Sequence, residues 1–405
     1  MLRTLITSLP LNVCLVLSAL LVLSLVRRYD RARLLLLVFM LTATVLYMGH
    51  FLFFNRVEAA IPLSDTLYCF CNPAVYPLFF IYIEELTQHH PNKRRQLLCL
   101  LPSVVCCLTV GMLYLLMSST ETHQFISFHL FGNQYLPLEG LQWWQAMAHL
   151  GVKIVFALQI PPILYLGFRH IKQYNNLIAN NYADTDDKSL TPLKTLLVLF
   201  VMASVVSFAC NILGRVRFDN ALWLLAIPSV AFSLLLLLIG HLGLLQQFTI
   251  RDVDREALEP VADDSLAPGD DAPQADDDSV STQKAPLLGN VITELVDSEK
   301  LFLQPNLKIN DLAVRLRTNR NYIYQAINVT MGMSFSEYIN KKRIEYARQL
   351  IDENPMMLLT EVATQSGFTT ISTFYRNFRQ FQGCSPSDYQ QRLLKGTPTE
   401  NRTRN

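Results

Sequence analysis

Charge is what the first 250 or so residues of this 405-residue chain have least of. A water-soluble fold of that length needs a charged surface, so the scarcity argues against one for this half. The eight cysteines lie mostly in apolar runs and show no metal-ligand spacing, which makes them small buried apolar residues rather than a metal or disulfide framework. No small-x-small cleavage site follows the first apolar run, which meets an Arg-rich stop instead, so it reads as a retained span and not a signal peptide. A phosphate-cradling glycine loop, a nucleophile constellation and a kinase core are all lacking. The expectation is therefore no enzyme, no metal and no cofactor. The net charge is only +1, so the global balance names no partner.

What is present divides sharply. The chain is 51% hydrophobic with a mean hydropathy of +0.25, and the apolar residues concentrate before residue 250. Seven runs stand out, at residues 6–26, 34–54, 62–82, 97–117, 147–168, 195–213 and 221–243. Each is long enough to cross ~30 Å of hydrocarbon at ~1.5 Å per residue. The third and sixth carry the most polar residues.

Lys and Arg in the short connections set an orientation. Arg27, Arg28, Arg31, Arg33, Lys93, Arg94, Arg95, Arg169, Lys172, Lys188 and Lys194 fall on one side, and Arg3, Arg56, Arg215 and Arg217 on the other. Eleven against four predicts the N-terminus outside and everything after residue 244 in the cytoplasm, for a multi-pass protein of the inner membrane. Trp143, Trp144 and Trp223 then fall near the outer interface.

Ionisable residues inside spans are costly and mark candidate functional positions. His50, Asp65, His149 and Lys153 all lie toward the outer halves of their spans. They are the candidate signal-sensing set, lining a polar cavity for a small-molecule ligand or a proton, with Asp65 and Lys153 as the natural pair. A purely structural ion pair between helices is the competing reading. Glu84 and Glu85 are expected to solvate the cytoplasmic end of the third span.

Residues 250–287 are acidic, rich in Pro and Ala, and without aromatics. Such a segment buries too little apolar surface to offset its ordering entropy, so it is expected to be a disordered tether. A second possibility is that it folds back, as a mimic of nucleic acid, on basic helices further along the chain.

Amphipathic pattern returns at residue 288 and persists to about 395. Asn310 or Asp311 starts a short helix, and Asn319 caps a second in which Ala313, Leu316, Ile323 and Ile327 form the packed face. Ser334 and Glu337 make a capping box for a long helix that Asn354 and Pro355 stop. The plan then repeats. A short helix over 360–366 carries Val362 and Ala363 inward, Gly367 and Phe368 make the turn, and Thr370 caps a helix burying Phe374 and Phe378. Two helix–turn–helix units are thus joined by a rod of about 25–30 Å. Major grooves on one face of B-DNA recur every ~34 Å, so such a rod lets both units enter neighbouring grooves.

Residues 288–395 resemble the C-terminal DNA-binding domain of the AraC/XylS family of bacterial transcription regulators. The resemblance is carried by Arg343, Ile344 and Ala347 on the rod, by Val362, Ala363, Gly367, Phe368, Phe374 and Phe378, and by Gly383 with Ser385 and Pro386. Members of that family usually carry a soluble sensing domain at the N-terminus; here apolar runs stand in its place, so the family's ligand pocket and dimerisation arm do not carry over. The resemblance implies that residues near the start of each reading helix contact base edges. Away from the packed face point Arg320, Asn321, Tyr324, Gln325 and Asn328 on the first helix, of which the resemblance nominates Asn321, Tyr324 and Gln325, and Ser372, Thr373, Tyr375, Arg376 and Arg379 on the second. Gln325 suits a bidentate contact to adenine, Arg376 one to guanine, and Thr373 a thymine methyl. Lys341, Lys342, Arg343 and Arg348 are candidates for phosphates, although Arg343 has an equal alternative as a packed or ion-paired residue.

The expected protein is all-α. A seven-span bundle (1–249) is followed by the linker (250–287), a double helix–turn–helix domain (288–396) and a flexible tail (397–405). Its expected function is that of a membrane-bound one-component transcription regulator. The expected partners are promoter DNA, the lipid bilayer, a second copy of the chain and, for an activator, RNA polymerase. The alternative is a transporter or receptor with an accessory DNA-binding tail.

Overall fold

The computed structural model describes residues 1–132, 137–186, 188–212, 222–245, 249–250, 252–253 and 278–396. The connection carrying Arg215 and Arg217, most of the acidic linker and the tail from 397 lie outside the described residues. Among the described residues the fold is all-α, with one isolated antiparallel bridge between Tyr182 and Lys308 and no strand. The chain forms two compact units. One comprises Met1–Tyr174 and Leu190–Arg251, the other Asn175–Ser189 and Asp252–Asn405. Residues 175–189, expected to belong with the apolar region, therefore group with the C-terminal unit.

The first unit is built from α1 (Leu2–Arg27), α2 (Arg31–Phe54), α3 (Ile61–Thr87), α4 (Lys93–Leu116), the short α5 (Ser119–Gln124), most of α6 (Gly140–Asn181), α7 (Thr191–Ile212) and α8 (Leu222–Leu245). Six of these helices are long and apolar enough to cross a membrane, counting α3 with the single turn before it. The sixth expected run coincides with α7, which over Thr191–Met202 counts as a shorter apolar helix. Side-chain caps start the helices where the sequence turns polar. Asp30 accepts from the amide of Ala32, and Asn92 from those of Arg94 and Arg95.

α3 is the central helix, packed between α2 and α4, and Ala74, Phe79 and Ile83 on it are fully buried. Phe39, Tyr76, Phe79 and Phe200 form an aromatic cluster beside it, with ring centroids 4.7–6.1 Å apart. α8 approaches α2 so closely that a Cβ at Gly243 would stand 2.1 Å from a methyl of Leu36, so any side chain there would displace that methyl. The outer helices bury little. α4 turns Cys106, Val110 and Tyr114 inward and leaves Leu98, Leu101, Leu108, Met112 and Leu115 exposed.

One expectation is overturned here. Glu84 and Glu85 do not solvate a helix end; both are buried. Gln96 donates to Glu84 at 3.0 Å and Arg31 pairs with Glu85 at 3.4 Å, because the starts of α4 and α2 converge on the end of α3.

The second unit carries α9 (Asp278–Ser298), α10 (Ile309–Arg315), α11 (Arg320–Met331), α12 (Phe335–Glu353), α13 (Leu359–Gln365), α14 (Ile371–Gln382) and α15 (Pro386–Gly396). α9 starts within the stretch expected to be a disordered tether. Its later turns bury Ile292 and Val296, and extending an anchored helix costs far less than nucleating one. α10 begins at Ile309 rather than at Asn310 or Asp311, because the Asp311 carboxylate reaches back to the amide of Lys308 at 2.7 Å.

The domain has two cores sharing one helix. Phe335, Tyr338 and Ile339 of α12 join Ile292, Val296, Leu312, Ala313, Ile323 and Ile327 in the first. Ile344, Ala347 and Ile351 of the same helix join Val362, Ala363, Phe368, Phe374 and Phe378 in the second. The rod is therefore a structural member of both halves, started by the expected capping box of Ser334 and Glu337.

Candidate functional site

α11 and α14 correspond as reading helices. Each has 12 residues, an N-cap side chain (Asn319, Thr370) and a left-handed glycine at its end (Gly332, Gly383). Their apolar faces are buried in the two cores, which turns the polar faces outward. On α11, Asn321, Tyr324 and Gln325 are exposed and Arg320 is half-buried at the start. On α14, Ser372, Arg376 and Arg379 are exposed.

Two nominated residues on α14 sit differently from expectation. Thr373, expected on the exposed face, is only 3% exposed. Its amide donates to the Thr370 cap at 3.2 Å and its hydroxyl donates to Asp186. Tyr375 is half-buried against the second core, and its hydroxyl meets that of Ser387 at 2.8 Å, pinning the start of α15. Helical periodicity places both correctly on α14; the neighbours that cover them come from elsewhere in the chain.

Among the phosphate candidates, Lys341 and Arg348 are exposed and Lys342 pairs with Asp297 at 2.7 Å. Arg343 is 1% exposed and cannot reach a phosphate. Its guanidinium donates to the carbonyls of Phe302 (2.7 Å) and Gln304 (2.8 Å) and to the Asn340 side chain (3.3 Å), and it stacks over Phe368 at 5.6 Å. Burial lowers its pKa to about 10, so it stays a cation at neutral pH. Arg343 ties the loop before the first helix–turn–helix to the turn of the second. That turn needs Gly367, whose φ is +82° and where a Cβ would stand 2.7 Å from the Leu303 carbonyl oxygen.

The most distinctive contact on the second reading helix involves residues the sequence did not single out. Asp186 accepts from Arg376 and from Thr373, and Asp184 from Thr369. The segment is held by its backbone. Ala183 donates its amide to the Leu307 carbonyl at 2.9 Å, and its own carbonyl accepts from Ser336 (2.9 Å) and Asn340 (3.1 Å). The Ala183 methyl is buried in the first core.

In the first unit, His50, Asp65, His149 and Lys153 all line one cavity of about 710 Å³. Asp65 is bonded by the ring of His149, with Nε2 2.7 Å from Oδ2, and by the hydroxyl of Tyr114 at 2.9 Å. Against the Asp65 carboxylate the structure puts His149, one helical turn before Lys153 on α6, and Lys153, the partner expected from the sequence, lines the same cavity. His149 Nδ1 lies 2.7 Å from the Gln145 carbonyl, so it must donate there. Nε2 then faces the Asp65 carboxylate. Cys69 completes a cluster with Asp65 and His149 whose ligand atoms lie within 4.8 Å of one another, a set able to hold a metal ion. Cys69 follows Asp65 by four residues on one helix, a spacing that carries meaning only once His149 is known to face it. His50 is edge-on to Tyr68 at 5.1 Å and stacks on Phe54.

Comparison with known proteins bears on the C-terminal unit alone. Residues 312–392 match the helix-turn-helix domain family. The Msm operon regulatory protein of Streptococcus mutans is 30% identical over 88 residues, 22% of this chain and 31% of its own length. The melibiose operon regulatory protein of Escherichia coli is 32% identical over 84 residues, 21% of this chain and 28% of its own. The transcriptional regulatory protein HptR of Staphylococcus aureus is 26% identical over 98 residues, 24% of this chain and 38% of its own. The chain thus spans about a third of the length of these relatives. Residues 312–392 run from within α10 through α11, the rod, α13 and α14, and the C-terminal domain of this chain is a helix–turn–helix domain of the AraC type.

Proposed function

We propose that this chain is a membrane-embedded one-component transcription regulator. Its C-terminal domain binds promoter DNA through α11 and α14, under the control of a signal received by the apolar helices. The observation that carries the reading is the double-cored domain, in which one stiff helix holds two capped reading helices with polar faces outward. Arg376 on α14 and Gln325 on α11 read base edges, and exposed cations such as Lys341 and Arg348 serve phosphates.

The membrane assignment is supported by six long apolar helices whose outer leucines have no protein cover, a surface suited to lipid and not to water. With the Lys and Arg bias in the connections, this gives an inner-membrane protein with its C-terminal domain in the cytoplasm. The cavity lined by His50, Asp65, His149 and Lys153 is the sensing site, taking a small polar ligand or a proton. A second copy of the chain and RNA polymerase are the further partners of an activator of this kind.

Genome-wide occupancy of the full-length protein, measured beside a C-terminal reporter that works only in the cytoplasm, tests the proposal. Discrete occupied promoters that disappear in an Arg376→Ala, Gln325→Ala double variant are expected. A reporter active only outside the inner membrane, or occupancy indifferent to that variant, would overturn it. Lys153→Met should alter the transcriptional response to outer-face stimuli; an intact response would remove the cavity from the account.

A further inference from the structure

We infer that the segment Tyr182–Asp186 is a built-in competitor of DNA, an acidic peptide of this same chain docked on the second reading helix. The inference rests on α14 as a DNA-reading helix and adds what occupies it in the absence of DNA.

The surface it occupies is the one a helix–turn–helix presents to bases. Residues in the first turns of a recognition helix face the groove, and on α14 those turns hold Thr373 and Arg376, with Thr369 just before the cap. Asp186 takes the donors of Thr373 and Arg376, and Asp184 takes that of Thr369. Each of these donors suits a phosphate oxygen or a base acceptor; the single hydroxyl protons of Thr369 and Thr373 cannot serve a carboxylate and DNA at once, and Asp186 offsets the charge and holds one nitrogen of Arg376. The two aspartates present negative charge where the DNA backbone and groove would bring it.

The docking is specific because it has a backbone anchor. Three hydrogen bonds hold the two polar groups of Ala183 to Leu307, Ser336 and Asn340, and its side chain is fully buried. Ser336 and Asn340 stand one turn apart on α12, both buried, and both point at that single carbonyl. An incidental surface loop would meet its neighbours through exposed side chains alone. The anchor lies on the first core and the rod, while the acidic tip reaches the second reading helix, so the segment masks one of the two helix–turn–helix units and leaves α11 open.

Docked and DNA-bound forms make a two-state equilibrium that any signal reaching the anchor would bias.

The test uses the full-length protein and duplexes selected by it from a random-sequence library. Asp184→Asn and Asp186→Asn together should tighten duplex binding by about three- to tenfold, the scale of a surface ion pair reinforced by hydrogen bonds. Removing negative charge near DNA would help binding even without docking, so a charge-conserving variant is needed. Ala183→Pro keeps both aspartates and deletes the amide that bonds Leu307, and it should tighten binding as well. Hydrogen exchange on the unaltered protein supplies an independent readout: the Ala183 amide should lose protection when the duplex saturates. Unchanged or weaker binding in both variants, a gain confined to the aspartate variant, or an Ala183 amide equally protected with DNA bound would each overturn the inference. If the unaltered protein selects no duplex, the DNA-reading assignment itself fails and the competitor falls with it.

Discussion

α11 and α14 are helices of equal length with equivalent caps and equivalent glycine stops, yet their surroundings differ. Asn321, Tyr324 and Gln325 stand outward on α11. The first turns of α14 are engaged by Asp184 and Asp186, residues nearly 190 positions earlier in the chain. The comparison teaches that a duplicated plan does not give duplicated function. Among the described residues the outward face of α11 is exposed, and the first turns of α14 are bonded to two aspartates, which on the proposed reading DNA must displace. Such an asymmetry suits a regulator that holds weak contact with DNA continuously and adds the second contact on demand.

The largest test of the comparison removes the residue that joins the halves. Arg343→Met leaves the carbonyls of Phe302 and Gln304 without their donor, and we expect a loss of about 2–5 kcal/mol in the stability of the C-terminal unit. Denaturant unfolding of the full chain, followed by a probe in that unit, measures it; a change below about 1 kcal/mol would mean the halves do not depend on this tie.

Next is Gly367→Ala, which forces a side chain into the left-handed region and against the Leu303 carbonyl. It should cost about 2–4 kcal/mol and loosen the second half first, seen as faster amide exchange in α13 and α14 than in α10 and α11.

Base reading separates the halves at the next scale. Gln325→Ala should weaken specific binding by about 1–3 kcal/mol and relax discrimination at one base pair. Arg376→Ala loses a base contact of the same size but also loosens Asp186, so its net effect in the unaltered background is smaller. In an Asp186→Asn background the full loss should return, and a double-mutant cycle on duplex affinity reads the difference. Additive effects would mean Asp186 and DNA do not contend for Arg376.

The smallest expected effect lies in the turn of the first half. There Arg317 adopts a φ of +48°, where the second turn has glycine. Arg317→Gly should raise stability by about 0.5–1 kcal/mol through relief of that strain, as thermal unfolding would show.

Much of this was legible in the sequence because it is local. The caps at Asn319, Ser334 and Thr370, the glycine stops, and the 3.6-residue spacing that buries Ile323, Ile327, Phe374 and Phe378 all act within a turn or two of their own positions. The cavity was partly legible, since His50, Asp65, His149 and Lys153 are costly residues for apolar runs and do line one space. The partners were not. Tyr114 and Cys69 are unremarkable in an apolar sequence; Cys69 stands one turn from Asp65 on α3, and only the packing of α4 and α6 brings Tyr114 and His149 to the same carboxylate. Likewise, charge density makes the acidic linker the conspicuous place in the sequence for a mimic of nucleic acid, and most of it lies outside the described residues; among the described residues α14 and the turn before it are bonded by two aspartates in a short connection that also carries lysines.

The sequence by itself determined the helices, their apolar faces, the doubling of the helix–turn–helix and the split between an apolar and a charged half. These follow from hydrophobic period, capping chemistry and composition, which act over short separations along the chain. Tertiary structure decided that Arg343 is an internal tie and not a phosphate contact, that Asp65 meets His149, and that Asp186 holds Arg376. Each of those is a choice among polar partners far apart in sequence, and a polar group buried or held at a surface is satisfied by whichever partner packing delivers to it.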